Sequence, residues 1–353
     1  MFLSRRNLLG ITGIAALAGL TACQEKGLPE VTEGSTGPNT LLNKLKIYTP
    51  NTLAFMVPTV GFGQHDLLKS GLIGEIEFEY WSSVENLESL LTVNANDIAT
   101  VPTQLGAYLF NKELPIKLAA VTVWGMLYVA GKEGGTKNDL EQLKEQKIGI
   151  PETNTIPDLV FRYLLRESGI KEEDIEIVNY PNNQELIDDF LHEKIAWVLL
   201  PEAEMTLTVQ KAKHEGLKVA RVIDLQEVWA KVTEGEPRFP MAGVVVPNYI
   251  ADEDNLSAGI LNELAASVAQ VNAREENIIA EINKRTGVEE DVITQVIPRL
   301  KLDMVSAADA KDQLLDFYQR IWSISPKVIG GKVPETDFFM KDTRPAEDKE
   351  KKE

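Results

Sequence analysis

The body of the chain alternates short apolar runs with stretches in which apolar residues recur every three or four positions. The runs at 118–123 and 126–130 are typical of buried strands, whereas the spacing of Leu87, Leu90 and Leu91 indicates one face of a helix. Strands and helices that alternate in this way predict an α/β fold. Beyond Ser257 the spacing is mainly helical, and we expect these helices to return to the first part of the fold.

The two halves of this pattern echo each other. In each half a strand ends at a proline, a helix follows, and a second strand ends at another proline. The pairs are Pro50 with Pro102 and Pro151 with Pro201, at nearly equal separations. This repeated order predicts two similar lobes, and its period is far too long for a solenoid.

The predicted lobes are joined by two chain crossings, near residues 128–131 and 238–244, which would act as a hinge. The predicted units are a discontinuous first lobe at 44–130 and 244–333, a second lobe at 131–243, and a charged tail at 334–353.

The N-terminal segment has the layout of an export signal. Arg5 and Arg6 precede an apolar run at 8–20 that is shorter than a membrane-spanning helix. The arginine pair resembles a twin-arginine signal, and Leu20-Thr21-Ala22-Cys23 resembles a lipobox. A buried N-terminal helix with a chance arginine pair is the alternative. The favoured interpretation is a signal peptide at 1–22, lipidation of Cys23 and a flexible tether at 23–43.

Composition narrows the class of protein. Hydrophobic residues make up 44% and charged residues 25% of the chain, which is typical of a packed core and excludes a mostly disordered or multi-spanning membrane protein. The net charge of −18 argues against a nucleic-acid partner. A single cysteine excludes an internal disulfide, a cysteine-ligated zinc cluster and a redox pair. We expect a monomer with no cofactor and no metal.

Several segments between residues 44 and 250 occur in an order typical of one protein family. They are the strand that ends at Pro50, Asn96-Asp97-Ile98-Ala99, Leu114-Pro115-Ile116-Lys117, Ile148-Gly149-Ile150-Pro151 and Leu200-Pro201-Glu202. This order resembles the solute-binding proteins of ABC importers, in the branch that includes sulfonate, taurine, nitrate and thiamin-pyrimidine binders. The resemblance implies a two-lobed type II periplasmic-binding fold with hinge crossovers. It also implies a protein that lies outside the cytoplasmic membrane and delivers a small molecule to a permease with a cytoplasmic ATPase.

Two departures from the family pattern leave the ligand open. Asn94-Ala95-Asn96-Asp97 stands where members often have Gly-x-x-Asp, and Pro201-Glu202 stands where they often have Glu-Pro. The loops therefore match in position but not in sequence.

Candidate ligand-binding residues follow from the geometry of α/β sheets, in which ligands bind beyond the carboxyl ends of strands and near helix N-termini. The segments at these positions contain aromatic, hydroxyl, amide and carboxylate side chains but no Lys or Arg. Such a cleft favours a neutral or cationic, heteroaromatic molecule, although backbone N–H groups could still hold a sulfonate or nitrate. The candidates are Tyr48, Asn51, Thr52, Trp81, Ser82, Thr103, Trp124, Glu152, Asn154, Thr155 and Glu202.

Structural roles are open for the same residues. The tryptophans suit a core, the carboxylates suit a first helical turn, and Ser82 could cap a helix in a box closed by Glu85.

Two functions stay open at this point. One is a receptor without catalysis, and the other is an exported enzyme of the same fold that acts on an aromatic substrate with Glu152 or Glu202 as base. Relatives of the fold that act in menaquinone synthesis are cytoplasmic and would not need Cys23, which favours the receptor.

Overall fold

The computed structural model describes residues 32–33, 40–93 and 96–345. The predicted signal peptide and Cys23 lie outside the described residues, as does most of the predicted tether. Leu42, at the end of that tether, is buried and forms a bridge with Ile73, so the packed fold includes this residue. Among the described residues, no helix is long and apolar enough to cross a membrane.

Two mixed sheets form the framework. Their strands are β1 (Thr32–Glu33), β2 (Leu45–Pro50), β3 (Glu75–Trp81), β4 (Ile98–Pro102), β5 (Ile116–Val123), β6 (Leu127–Lys132), β7 (Lys147–Pro151), β8 (Glu176–Tyr180), β9 (Trp197–Pro201), β10 (Val219–Asp224), β11 (Ala242–Pro247) and β12 (Leu302–Ser306). The first sheet has the order β1-β3-β2-β4-β11-β5-β12, and the second has the order β10-β6-β9-β7-β8.

Helices cover both sheets. They are α1 (Leu53–Met56), α2 (Asp66–Lys69), α3 (Val84–Val93), α4 (Thr103–Asn111), α5 (Ile156–Glu167), α6 (Asn183–Leu191), α7 (Glu204–His214), α8 (Leu225–Thr233), α9 (Asn248–Asp252), α10 (Asp254–Ala273), α11 (Glu276–Thr286), α12 (Glu290–Val296) and α13 (Lys311–Trp322). A short 3-10 turn at Pro326–Ile329 follows α13.

The side-chain pattern explains how the strands are placed. In β3, Ile76 and Phe78 are buried, while the alternating glutamates face outward and pair with Lys44 and Lys46. The apolar strand β5 lies inside the first sheet between β11 and β12, where both of its edges are bonded. Alternation therefore marks a half-exposed strand here, and a continuous apolar run marks a buried one.

The two lobes repeat one arrangement. In the first sheet, β2 pairs in parallel with β3 and β4, and β11 then pairs antiparallel with β4. In the second, β7 pairs in parallel with β8 and β9, and β6 pairs antiparallel with β9. The proline-ended strands that echo each other in the sequence therefore hold equivalent positions.

The first chain crossing lies earlier than predicted. The whole of β6, from Leu127, pairs with β9 and β10 in the second sheet, so the crossing is at residues 124–126 and not 128–131. Gly131 fits this strand because the ring of Trp197 lies where its Cβ would be, only 2.3 Å away. The second crossing lies between the end of α8 at Thr233 and the start of β11 at Ala242.

The C-terminal helices pack on the first lobe and also touch the second. The ring of Phe317 on α13 lies 5.8 Å from that of Trp229 on α8, and Arg320 donates to the hydroxyl of Tyr163 on α5. The strand β12 and the helix α8 were not predicted.

The packed fold also continues past the predicted start of the charged tail. Phe338, Phe339 and Met340 are buried, and the Met340 N–H donates to the Leu118 carbonyl at 2.8 Å. The predicted start of the tail at residue 334 is therefore too early, because these three apolar residues pack against β5.

Candidate functional site

A cleft of about 610 Å³ lies between the two lobes, at the carboxyl ends of β3, β4, β7 and β9. Both lobes line it, as do Met126 and Met241 from the two crossings. The first lobe contributes Phe55, Trp81, Val84, Glu85, Pro102, Gln104, Leu105 and Tyr108, and the second contributes Glu152, Asn154, Thr155, Ile156, Pro157 and Pro201. Lys327 and Val328, from the turn after α13, complete the lining.

The walls of the cleft are mostly apolar. The indole of Trp81 is held in place because its Nε1–H donates to the carbonyl of Thr100 at 3.2 Å. Phe55 and Tyr108 add two more aromatic side chains, and Met126 and Met241 contribute flexible thioethers. A flat apolar molecule would find stacking faces here.

The start of α4 brings a polar group into this apolar wall. The helix begins directly after β4, with Pro102 preceding its first turn. Gln104, Leu105 and Tyr108 all line the cleft, as expected for residues one turn apart on one helix face. The Oε1 atom of Gln104 is buried and accepts no hydrogen bond from the described residues.

The second lobe contributes a tight turn between β7 and α5. Asn154 takes a left-handed conformation with φ of 63°, and its N–H donates to Asp158 Oδ2 at 2.8 Å. The hydroxyl of Thr155 donates to the Glu152 carbonyl at 2.7 Å. Thr155 therefore does not cap α5 through its side chain. The buried carboxylate of Asp158 lies in the first turn instead, where it interacts favourably with the helix dipole and pairs with Arg162 Nε at 2.6 Å.

The cap of α3 is displaced by one residue from the prediction. Ser83, not Ser82, accepts from the Asn86 N–H at 3.1 Å, and the Asn86 side chain accepts in return from the Ser82 N–H at 3.1 Å. Glu85 is thus free of the predicted box and lines the cleft. Hydrogen bonds from its own backbone N–H and from Ser83 lower the pKa of Glu85, so this carboxylate stays ionised near the N-terminus of α3.

A cation reaches the cleft from a distant part of the sequence. Lys327 lies in the turn after α13, and this turn is held against α4 because Asn111 Nδ2 donates to the carbonyls of Ile329 at 2.5 Å and Lys332 at 2.7 Å. The expectation that the site lacks Lys and Arg is therefore wrong. Only the fold brings residue 327 beside strand ends that precede it by more than a hundred positions.

Four predicted ligand residues line the cleft together: Trp81, Glu152, Asn154 and Thr155. Asn51, Thr52 and Ser82 are exposed and lie outside its lining. Tyr48, Thr103, Trp124 and Glu202 are buried elsewhere.

Two of these buried aromatic side chains belong to the core. The hydroxyl of Tyr48 donates to Asp97 Oδ2 at 2.9 Å, and Asp97 also accepts from the Lys46 N–H. Trp124 donates from Nε1 to the Asp303 carbonyl at 2.9 Å, and the guanidinium of Arg238 lies 4.6 Å from its ring centre. Both side chains are bonded inside the packed fold and lie outside the lining of the cleft.

Thr103 fastens the second crossing to α4. Its hydroxyl donates to the Pro240 carbonyl at 2.7 Å, and its N–H donates to the Met241 carbonyl at 3.1 Å. Its own carbonyl accepts from the Tyr318 hydroxyl at 3.0 Å. These bonds position Gln104 and Met241, which do line the cleft.

Glu202 is held inside the second lobe. It pairs with Arg221, whose Nη2 lies 2.6 Å from Oε1, and it accepts from the Thr206 hydroxyl at 2.5 Å. Its side chain is fully buried, on the side of β9 that faces α7 and β10. The expectation that Glu202 contacts ligand or acts as a base in the cleft is therefore not met.

Helical spacing after Pro102 could have identified Gln104 and Tyr108, because that proline ends a strand at the predicted edge of the site. Nothing in the sequence near Lys327 points to the cleft. No group of acidic, histidine or cysteine side chains in the described part of the chain has the arrangement of a metal site.

Solved structures of binding proteins share this fold. An ABC transporter from Parabacteroides distasonis has a TM-score of 0.69 and 22% identity, over 85% of this chain and 99% of that chain. The periplasmic aliphatic sulphonate-binding protein of Escherichia coli has a TM-score of 0.64 and 14% identity, over 85% and 92%. The periplasmic nitrate-binding protein of Synechocystis has a TM-score of 0.55 and 12% identity, over 86% and 88%. At these identities the likeness shows the fold alone, and it confirms the two-lobed binding-protein fold.

The family comparison gives a different emphasis. No curated protein matches the sequence. A family model described as menaquinone biosynthesis matches residues 62–321, which cover most of both lobes. The motif order in the sequence had pointed to solute-binding proteins of ABC importers, and the solved structures support the fold of that group, whereas the family model matches a different family of the same fold. The chain belongs to the menaquinone biosynthesis family and has the two-lobed fold of the periplasmic binding proteins.

Proposed function

We propose that the protein is an extracytoplasmic solute-binding lipoprotein that captures a small molecule between its lobes and delivers it to an ABC importer. The observation that carries the proposal is the cleft itself, since both lobes and both crossings line it. Movement about the crossings would therefore open or close the site. Its volume of about 610 Å³ lies within the usual range for sites that bind small molecules.

The lining supports a neutral or cationic, flat heteroaromatic ligand. Trp81 and Tyr108 offer ring faces, and the carboxylates of Glu85 and Glu152 reach the rim from opposite lobes. Lys327 also lines the cleft, so two carboxylates and one ammonium group leave a formal charge of −1. A sulfonate or nitrate suits the site less well, because the carboxylate of Glu85 lies in the first turn of α3 and lines the cleft.

The proposal also includes export of the protein and its anchoring to a membrane, and both are supported by the N-terminal sequence. The arginine pair and the lipobox at Cys23 support twin-arginine export and a lipid anchor, which would place the lobes at the outer face of the cytoplasmic membrane or in the periplasm. Incorporation of labelled palmitate that is lost in Cys23→Ser would support the anchor, and unchanged labelling would contradict it.

An enzyme of menaquinone biosynthesis is the second candidate, and the family match favours it. Its base would be Glu152, because Glu202 is engaged with Arg221 away from the cleft. Glu152 is exposed at the rim, whereas a general base is usually tuned by burial. The cleft therefore fits capture of a ligand better than proton transfer.

One experiment separates the two candidates. Small molecules that are released from the purified protein are identified by mass spectrometry and then incubated again with it. A receptor returns the bound molecule unchanged, and Glu152→Gln still binds it. An enzyme converts it, and Glu152→Gln loses the conversion, which would overturn the proposal.

A further inference from the structure

Gln104 is the one cleft-lining side chain with a buried polar atom that no described residue satisfies. An amide oxygen that is buried without a partner destabilises the protein, because it has lost its hydrogen bonds to water and gained none in return. Buried polar side chains are normally bonded, so an exception inside a cleft calls for a physical reason.

The neighbouring polar groups of the cleft are already engaged. The Trp81 indole N–H donates to Thr100, and the Thr155 hydroxyl donates to Glu152. Asn154 Oδ1 lies 3.5 Å from the Ser325 hydroxyl. The charged side chains of the lining are Glu85, Glu152 and Lys327, so Gln104 is the neutral side chain there that keeps an unsatisfied hydrogen-bonding atom.

The chemistry of an amide defines the complementary group. A glutamine side chain carries a donor and an acceptor next to each other, so it can pair in two places with a ring edge that has an N–H beside an acceptor. Rotation about the last side-chain bond is broad for glutamine, so Oε1 can turn toward the cleft without movement of α4.

Building on the proposed function, we propose that Gln104 determines the specificity of this cleft. The ligand it selects is a neutral flat ring whose edge carries an N–H donor beside an acceptor, as in a lactam or an amino-heterocycle. The ring lies against the aromatic wall of Trp81 and Tyr108, and its edge pairs with the Gln104 amide.

The test uses three flat probes of similar size: 2-quinolone, N-methyl-2-quinolone and quinoline. Dissociation constants are measured by titration calorimetry for the wild type, for Gln104→Met and for Gln295→Met, which makes the same change at an exposed position on α12. The wild type and Gln295→Met should bind 2-quinolone about 5- to 150-fold more tightly than the N-methyl compound. Gln104→Met should lose most of this preference, mainly by weaker binding of 2-quinolone.

The outcomes separate this inference from the proposed function. If quinoline binds as tightly as 2-quinolone, or if Gln104→Met keeps the wild-type preference, the role of Gln104 is refuted while binding in the cleft stands. If none of the three probes binds the wild type, the lactam class is refuted, and the proposal of an aromatic-binding cleft fails with it.

Discussion

Replacement of Glu202 tests whether its carboxylate stabilises the fold or contacts a ligand. The pair with Arg221 has side-chain exposures of 0% for Glu202 and 20% for Arg221, so water screens it little. In Glu202→Gln the guanidinium keeps its charge and loses its counter-ion. Removal of one partner from a buried pair costs about 3–5 kcal/mol, whereas replacement of both by apolar groups is often nearly neutral.

The assay is a double-mutant cycle. Free energies of unfolding from urea denaturation are compared for the wild type, Glu202→Gln, Arg221→Met and the double variant. We expect each single variant to lose about 3–5 kcal/mol, and the double variant to lose clearly less than the sum of the two. Ligand affinity should change little in the variants that stay folded, because the pair lies outside the lining of the cleft.

A different result would refute this account. If Glu202→Gln unfolds at the wild-type urea concentration but no longer binds or converts a ligand, then Glu202 is a site residue and the pair with Arg221 has no structural importance. Strictly additive effects of the two single substitutions would show that the pair is not coupled and would refute its structural role.

Three further predictions concern buried polar side chains that stabilise the fold. Thr103→Val should lower the free energy of unfolding by about 1–3 kcal/mol, because the buried Pro240 carbonyl loses its donor. Thr92→Val, on the exposed face of α3, is the control and should change this free energy little. Equal effects of the two substitutions in urea denaturation would refute the role of Thr103. Glu263→Ala should cost about 3 kcal/mol or more in the same assay, because the N–H groups of Gly63, His65 and Leu67 lose their buried acceptor, and a loss below 1 kcal/mol would contradict this. Burial raises the pKa of Asp97 above its ordinary 3.8, so the folded state holds a proton that the unfolded chain has released, and stability falls as the pH rises from about 4 through the raised pKa. Asp97→Asn should remove that part of the pH dependence, and parallel stability curves for the two proteins would refute the assignment.

The fold was predictable to the extent that it depends on local pattern. The alternation of Glu75 to Tyr80, the apolar run of β5 and the four strand-ending prolines each correspond to an element in the structure. The crossing at 124–126 was misplaced, because an apolar run does not show which sheet it joins. That choice depends on pairing with β9 and β10, which are far away in the sequence.

The site was predictable only in part. Of the residues that the strand-end rule selected, Trp81, Glu152, Asn154 and Thr155 line the cleft together, and their contact with a ligand stays a prediction. It could not show which way each side chain points. Tyr48 and Glu202 occur at the right strands but face buried partners, Asp97 and Arg221.

Three of the lining residues that were missed lie on the first two turns of α4 and in the turn after α13. Gln104 and Tyr108 follow the strand end at Pro102 by two and six positions, so a rule that stops at Thr103 excludes them. Lys327 lies at the cleft because Asn111 binds the carbonyls of Ile329 and Lys332 in the same segment. The sequence around these residues does not indicate this contact.

The claim that a small molecule binds between the lobes has one direct test. Val84 lines the cleft at the start of α3, and Val93, at the end of the same helix, is 76% exposed. Val84→Trp should place an indole ring in the cleft and obstruct it, and Val93→Trp makes the same change outside it. Native mass spectrometry should detect the bound molecule on the wild type and on Val93→Trp but not on a folded Val84→Trp. Full occupancy of Val84→Trp would show that the ligand binds elsewhere and would contradict the account.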